Sequence, residues 1–107
     1  MPPTIRETFE LMPLRFHADK AGNTNAVIQY EISGDGGGTW HAVIKNGECA
    51  VNEGADPSPT VTLQASASDW MTVITGAQNG QALFMAGKLK IKGDMGLAMK
   101  LPSMFAS

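Results

Sequence analysis

The sequence predicts an α+β domain: a five-stranded, mainly antiparallel sheet with helices covering one of its faces. Two observations lead to this fold class. Five segments alternate apolar and polar side chains with a period of two, which is typical of strands with one buried face. Other segments space their apolar residues three and four positions apart, which is typical of amphipathic helices. Because each strand has a single apolar face, the helices must cover that face.

The size and charge of the chain restrict its function. Its 107 residues correspond to a single domain, residues 1–107. A net charge of −2 argues against a dedicated nucleic-acid binder. The charge is uneven, because residues 67–107 carry four basic and two acidic side chains.

The first helix is predicted from a capping box, in which Thr4 is followed three residues later by Glu7. Its apolar stripe is Ile5, Phe9 and Met12, continued beyond Pro13 by Leu14 and Phe16. Residues 17–24 are polar and contain a glycine, so they are expected to form a loop.

The strands follow from strict alternation. They are residues 26–32, 39–45, 48–52, 60–65 and 88–92. The pair Asn46-Gly47 is a strong signal for a tight hairpin, so the first three strands should form an antiparallel meander. The glycine-rich segment 34–38 precedes a strand rather than a helix, which favours a hairpin turn over a phosphate-binding loop.

Three helices are expected in the C-terminal half. Ser66 and Asp69 mark the start of the first, whose stripe contains Trp70, Val73 and Ile74. The second, residues 82–86, is apolar on every side and is therefore expected to be buried on most faces. The third, residues 94–101, has Met95, Ala98 and Met99 as its apolar stripe and is expected to end at Pro102.

No catalytic or metal-binding constellation is evident in the sequence. His17 and His41 lack partners at metal-ligand spacing, and Cys49, on the inward side of a strand, is expected to act as a small core hydrophobe. We therefore predict no enzyme activity, no metal and no cofactor.

Two features leave alternatives open. Lys88, Lys90 and Lys92 project from one face of the last strand. They favour an edge strand protected from aggregation, and candidate contact with an anionic membrane is the alternative. The clustered methionines are either core filler or the adaptable wall of a site for varied apolar ligands.

Two adjoining segments carry a family resemblance. NGQALFMAG (79–87) and GKLKIKGDMGLAMKL (87–101) resemble the signature of the sterol carrier protein 2 family. FELMPLRF (9–16), Trp40 and SASDW (66–70) agree with it. Gly80 stands where the family often has proline. The resemblance is to the free-standing bacterial type.

The resemblance implies that the sheet and helices enclose a hydrophobic tunnel for lipid. It implies a non-catalytic, cytoplasmic lipid-binding or lipid-transfer protein that takes a sterol, fatty acid or fatty acyl-CoA. The alternative is an accessory, lipid-presenting partner of a lipid enzyme or pathway, for example ubiquinone synthesis. One cysteine, the lack of a signal-peptide pattern and the lack of a long apolar run agree with the cytoplasm.

The predicted lipid contacts are Phe9, Met12, Phe16, Ile28, Trp40, Trp70, Ile74, Gln81, Phe84, Met85, Leu89, Ile91, Met95, Met99, Met104 and Phe105. Among these, Gln81 is either a polar handle near the tunnel mouth or a solvated residue of the first helical turn, and the others would bury apolar ligand surface.

Overall fold

The computed structural model describes residues 4–74 and 80–104, apart from the side chains of residues 15, 74, 80, 81, 102 and 103. The strands are β1 (Ala26–Ser33), β2 (Gly38–Lys45), β3 (Glu48–Glu53), β4 (Val61–Ser66) and β5 (Lys90–Gly93). The helices are α1 (Ile5–Glu10), α2 (Ala18–Ala21), α3 (Ala67–Ile74), α4 (Gly80–Met85) and α5 (Met95–Met104), with a 3₁₀ turn at Met12–Arg15. The predicted α+β class is confirmed.

The five strands lie in one sheet in the order β3-β2-β1-β4-β5. The predicted meander is confirmed, because β1 pairs antiparallel with β2, and β2 with β3. Its tight turn has the positive φ angles of a hairpin, 53° at Asn46 and 75° at Gly47. β4 also pairs antiparallel with β5, whereas β4 runs parallel to β1, with Val61 opposite Ile28. The sheet is therefore mixed, and mainly antiparallel as predicted.

One face of the sheet is apolar and carries the core. On β1 the buried apolar residues alternate as predicted: Ala26, Ile28, Tyr30 and Ile32. Helix α3 contacts β1 and β4, and α5 contacts β4 and β5. The helices thus cover this inner face and leave the opposite, polar face uncovered over part of its width.

Local capping fixes the starts of two helices. The Thr4 hydroxyl accepts the Glu7 N–H at 3.1 Å, and the Glu7 carboxylate accepts the Thr4 N–H at 3.0 Å, so the predicted capping box is confirmed. At α5, Asp94 Oδ1 accepts the Leu97 N–H at 3.0 Å. These three bonds satisfy N–H groups at helix starts, where the first turn leaves them without a partner.

Three predicted boundaries were wrong. Residues 17–24 contain the one-turn helix α2 rather than only a loop. Helix α5 runs through Pro102 to Met104, whose buried side chain and whose carbonyl, bonded to the His17 N–H at 2.7 Å, hold the last turn. β5 begins at Lys90 instead of residue 88, because the N–H groups of Lys88 and Leu89 donate to the Leu83 carbonyl.

The expectation that residues 82–86 are buried on most faces was also wrong. Only Leu83 is buried, at 2% exposure, whereas the side chain of Met85 is 79% exposed. Ala82 and Ala86 are exposed, and Phe84 is half-buried. Helix α4 therefore presents apolar side chains to solvent.

Helix α5 buries a different stripe from the predicted one. Leu97, Leu101 and Met104 are buried together with Ala98, while Met95 and Met99 are 41% and 54% exposed. Positions 97, 101 and 104 also follow the spacing of one helical face. The sequence of α5 therefore contains two apolar stripes, and the one richer in leucine faces the sheet.

Within residues 4–74 and 80–104, no helix combines the length and apolar character required to cross a bilayer.

Candidate functional site

A cluster of four aromatic rings fills one end of the inner face. The Phe9 ring is stacked between Trp40, at 4.5 Å between centroids, and Trp70, at 5.0 Å. Tyr30 packs against Phe9 at 5.1 Å and against the edge of Trp70 at 5.3 Å. The Trp70 indole N–H donates to the Thr8 hydroxyl at 2.9 Å, so its buried polar atom is satisfied. This aromatic cluster is a packed part of the core.

The other end of the inner face is aliphatic. It is formed by the buried residues of α5, Leu97, Leu101 and Met104, which we call the aliphatic wall. Leu89 and Ile91 are half-buried against this core, as is Met71 from α3. These side chains offer apolar surface with no hydrogen-bonding group beyond weak thioether sulfur, so they can bury hydrocarbon and impose little directional selection.

The predicted lipid contacts fall into four groups. Buried are Phe9, Met12, Ile28, Trp40, Trp70 and Met104; half-buried are Phe16, Phe84, Leu89 and Ile91. Exposed are Met85, Met95 and Met99. The side chains of Ile74 and Gln81, and all of Phe105, lie outside the described residues.

The sequence-based prediction omitted Leu83, Leu97 and Leu101, all of which are buried. A signal for the last two was present, because Leu97 and Leu101 are four residues apart and Met104 completes the same helical face. No comparable periodic signal distinguished Leu83 within a helix that is apolar on every side.

The uncovered face of the sheet is organised around Glu31. Its carboxylate accepts hydrogen bonds from the side-chain amides of Gln29 and Gln64, each at 2.7 Å. These two bonds, Gln64 first, and the charge of Lys92 hold the pKa of Glu31 below its usual range. A groove of about 450 Å³ lies here, and its lining includes Glu31, Thr39, Gln64 and Lys90.

His41 and Cys49, the candidates for catalysis or metal binding, occupy structural positions in the fold. His41 Nδ1 lies 2.8 Å from the Gly54 carbonyl, at the outer face of β2. Cys49 is half-buried, and burial raises the pKa of its thiol to about 11, so the reactive thiolate is not formed near neutral pH. Among the described residues, no three histidine, cysteine or acidic side chains form a group that could hold a metal ion.

The lysines of β5 lie on an edge strand, as the sequence favoured. β5 is the last strand of the sheet, with Lys90 opposite Gln64 and Lys92 opposite Thr62 on β4. These partners place the two lysines on the polar face, since Leu63 and Ile91 between them pair on the inner face. Lys88 precedes the strand and follows α4.

Comparison with known proteins identifies the family. The profile of the SCP-2 sterol transfer family matches residues 13–106. The chain belongs to this family. The resemblance noted in residues 79–101 is thereby confirmed, and so is the lipid-binding class of fold that it implied.

The relatives include parts of larger proteins. Hydroxysteroid dehydrogenase-like protein 2 of Xenopus tropicalis is 36% identical over 99 residues, which are 91% of this SCP-2 chain and 24% of that protein. Human sterol carrier protein 2 is 42% identical over 81 residues, 73% of this chain and 15% of that protein. The chain thus spans about a quarter or less of the length of these relatives.

A solved structure agrees closely with the fold. The solution structure of palmitated SCP2L2 from Aedes aegypti superposes with a TM-score of 0.75 at 25% identity, covering 97% of this chain and 93% of that one. The agreement over nearly the whole of both chains supports the α+β architecture described above.

Proposed function

We propose that the protein binds and transfers lipid without catalysing a reaction on it, holding a sterol, fatty acid or fatty acyl-CoA in a hydrophobic tunnel under the sheet. The observation that carries this proposal is the SCP-2 family match across residues 13–106. The aliphatic wall agrees with this proposal, because it is wholly apolar and packs against strands within the matched residues.

We expect a ligand to make contact at half-buried side chains. Fully buried residues have little surface left to offer, whereas Met71, Leu89 and Ile91 pack against the core and keep part of their apolar surface accessible. A chain of methylene groups laid along them would gain ~25 cal/mol for each Å² removed from water. The exposed Met85, Met95 and Met99 are less suited to a tunnel wall than these half-buried residues.

An acyl chain is the ligand class that we favour. The relative from Aedes aegypti carries palmitate, and the aliphatic wall is made of flexible leucine and methionine side chains that adapt to such a chain. Since these residues provide no strong hydrogen-bonding group, we expect broad preference rather than recognition of one headgroup. We propose Gln81 as the polar contact for such a ligand.

Binding can be tested on the same strand with two matched substitutions. Ile91→Gln places an amide on the inner face of β5, and Lys92→Gln places the same amide on the outer face. We expect a fluorescent fatty acid to bind the wild type and Lys92→Gln alike, and Ile91→Gln several-fold more weakly, because burying an unbonded amide against the chain is unfavourable.

Native mass spectrometry of gently purified protein provides the independent measurement. We expect co-purified lipid, or uptake of an added fatty acid at one ligand per chain. Protein that carries no lipid and takes up neither fatty acid, acyl-CoA nor sterol would refute the proposal. Turnover of acyl esters by the purified chain would refute its non-catalytic part.

A second role, lipid presentation to an enzyme, is favoured by one observation. The same domain forms 24% of a relative whose name includes a dehydrogenase, so this fold occurs joined to a larger protein. The partner would be a lipid-modifying enzyme, with ubiquinone synthesis as one candidate pathway. Co-purification of the tagged chain with such an enzyme from its own cells, lost on lipid depletion, would support this role over simple transfer.

Transfer requires that the protein meets a membrane, and we propose a cytoplasmic protein that does so transiently through anionic headgroups. Lys88, Lys90 and Lys92 are the candidates from the sequence, each worth ~1 kcal/mol near such a surface. Reversal of all three charges should reduce co-sedimentation with anionic vesicles. Unchanged binding would remove these lysines from the proposal.

A further inference from the structure

The groove on the outer, polar face of the sheet lies where β1 and β4 end and where β2 and β5 begin. Its volume of about 450 Å³ is within the range of ~300–1,000 Å³ that small-molecule sites occupy. We call it the polar groove, and the polar side chains that line it include those of Glu31, Ser33, Thr39, Gln64, Lys88 and Lys90.

Opposite charges are held apart across the polar groove. Glu31 on β1 and Lys90 on β5 are separated by Gln64 on β4, which is in register with both. Two strand spacings place the Glu31 and Lys90 backbones roughly 10 Å apart. Glu31 is bonded to the side-chain amides of Gln29 and Gln64 rather than to a lysine. Among the residues that the structure describes, neither Lys88 nor Lys90 has an ion-pair partner.

The negative side of the polar groove retains capacity for hydrogen bonds. Each carboxylate oxygen of Glu31 accepts one amide, whereas a carboxylate offers about four acceptor positions in all. The carbonyl oxygen of Gln64 has no partner within the described part of the chain, because this side chain uses its N–H on Glu31. Ser33 and Thr39 add hydroxyl groups to the lining. These acceptors suit a ligand that carries several hydroxyl donors.

A phosphorylated polyol has the matching distribution of charge. Its phosphate suits the ammonium groups of Lys88 and Lys90. Its hydroxyl groups can donate to a carboxylate, as ribose hydroxyls donate to an acidic residue in dinucleotide sites. Two lysines and one glutamate leave the groove with a net charge of +1, which favours an anionic ligand over a neutral or zwitterionic one.

We propose that the polar groove is a second binding site, on the opposite face of the sheet from the proposed lipid tunnel, for a soluble phosphorylated polyol such as a sugar phosphate. The phosphate binds Lys88 and Lys90, and ligand hydroxyls donate to Glu31 and Gln64. This role of the two lysines differs from edge protection and from membrane contact, and it does not depend on lipid binding.

Ribose 5-phosphate is the probe, and NMR spectra of the isotope-labelled chain show where it binds. We expect saturable shifts at the amides of Thr39, Gln64 and Lys90, and weaker binding with added salt. Ribose alone and inorganic phosphate each supply half of the ligand and should bind several-fold more weakly. Aminoethyl phosphate replaces the hydroxyls by an ammonium group and should also bind more weakly. Equal or tighter binding of any of the three, or shifts confined to other residues, would overturn the inference.

Two substitutions test the two sides of the polar groove separately. Lys90→Gln removes a cation and Glu31→Gln removes the anionic acceptor, and each should weaken binding of the sugar phosphate by roughly fivefold to tenfold. Lys45→Gln is the matched control, because it removes the same charge at the far end of β2; it should bind as the wild type does. No loss in either groove variant, or an equal loss in Lys45→Gln, would overturn the inference. The same spectra show that each variant is folded.

Measurements with lipid separate this site from the proposed function. Fatty-acid binding should be the same in the wild type, Lys90→Gln and Glu31→Gln. Sugar-phosphate binding by a chain that takes up no fatty acid would support this inference and refute the function, whereas the reverse result would overturn only this inference. If the two substitutions weaken co-sedimentation with phosphatidylglycerol vesicles but leave sugar-phosphate binding unchanged, the groove binds lipid headgroups and the inference is overturned.

Discussion

The two ends of the inner face are packed by different means. The aromatic cluster joins rings from α1, β1, β2 and α3 and satisfies its buried indole N–H through Thr8. The aliphatic wall consists of leucine and methionine, and the helices α4 and α5 expose three further methionines, Met85, Met95 and Met99. Stacked rings fit in few arrangements, whereas leucine and methionine side chains can repack. The difference agrees with the proposal that a ligand enters at the aliphatic end, while the aromatic end holds the fold.

Among the substitutions that test this difference, Trp70→Ala should cause the largest loss of stability. It removes a stacked ring and the indole donor from the aromatic cluster, and we expect the free energy of unfolding to fall by ~3–5 kcal/mol. Chemical denaturation followed by circular dichroism measures this loss. A loss below that of a surface substitution would mean that the aromatic cluster does not hold the fold.

Two buried leucines, Leu97 on α5 and Leu83 on α4, should differ in how much they stabilise the fold. Leu97→Ala should cost ~2–5 kcal/mol, as for a buried leucine in a core. Leu83→Ala should cost less, although Leu83 is at least as buried, because the loss cannot exceed the free energy with which α4 docks. Hydrogen exchange at the amides of Lys88 and Leu89, which bond to Leu83, should accelerate. Equal losses of stability in the two variants would show that α4 unfolds together with the core.

Removing the acceptor for the Trp70 indole should have a smaller effect. Thr8→Val leaves a buried N–H without its partner, which costs ~1–3 kcal/mol. Thr24→Val is the matched control, because both hydroxyls donate to a carbonyl three residues earlier at 2.6 Å, whereas the indole N–H donates to Thr8. Equal effects of the two substitutions on denaturation would show that the indole bond contributes nothing to the aromatic cluster.

The smallest effect concerns the polar face. Because the folded pKa of Glu31 is lowered, its carboxylate stabilises the fold above its ordinary pKa, and this stabilisation disappears as pH falls through the folded value. The wild type should therefore lose stability in acid relative to Glu31→Gln, by less than ~1 kcal/mol. Gln64→Ala should reduce that difference. An acid profile identical in wild type and Glu31→Gln would contradict this.

The sequence predicted those features that depend on residues close together along the chain. Alternation located all five strands, the pair Asn46-Gly47 specified a hairpin, and Thr4 with Glu7 specified a helix start. These signals act over a few residues and require no knowledge of the rest of the fold.

Features that depend on distant neighbours were not predictable in this way. The parallel pairing of β4 with β1 has no local signal. In α5, two stripes fitted helical spacing, and contact with β4 and β5 selected the one containing Leu97. Helix α5 continues past Pro102, and the buried Met104 lies in the turn beyond it. For α4, an apolar composition predicted burial on most faces, whereas of residues 82–86 only Leu83 is buried.

The parallel pairing of β1 with β4 also bears on how the chain reaches this structure. The hairpin between β2 and β3 closes over two residues and can form in ~1–10 μs. Glu31 and Gln64, by contrast, are 33 positions apart, and Thr8 and Trp70 are 62 apart. Each such contact requires closure of a long loop, whose entropic cost precedes any gain from packing. The meander can therefore assemble early. The Phe9 ring, by contrast, can stack on Trp70 only after α1 and α3 have come together.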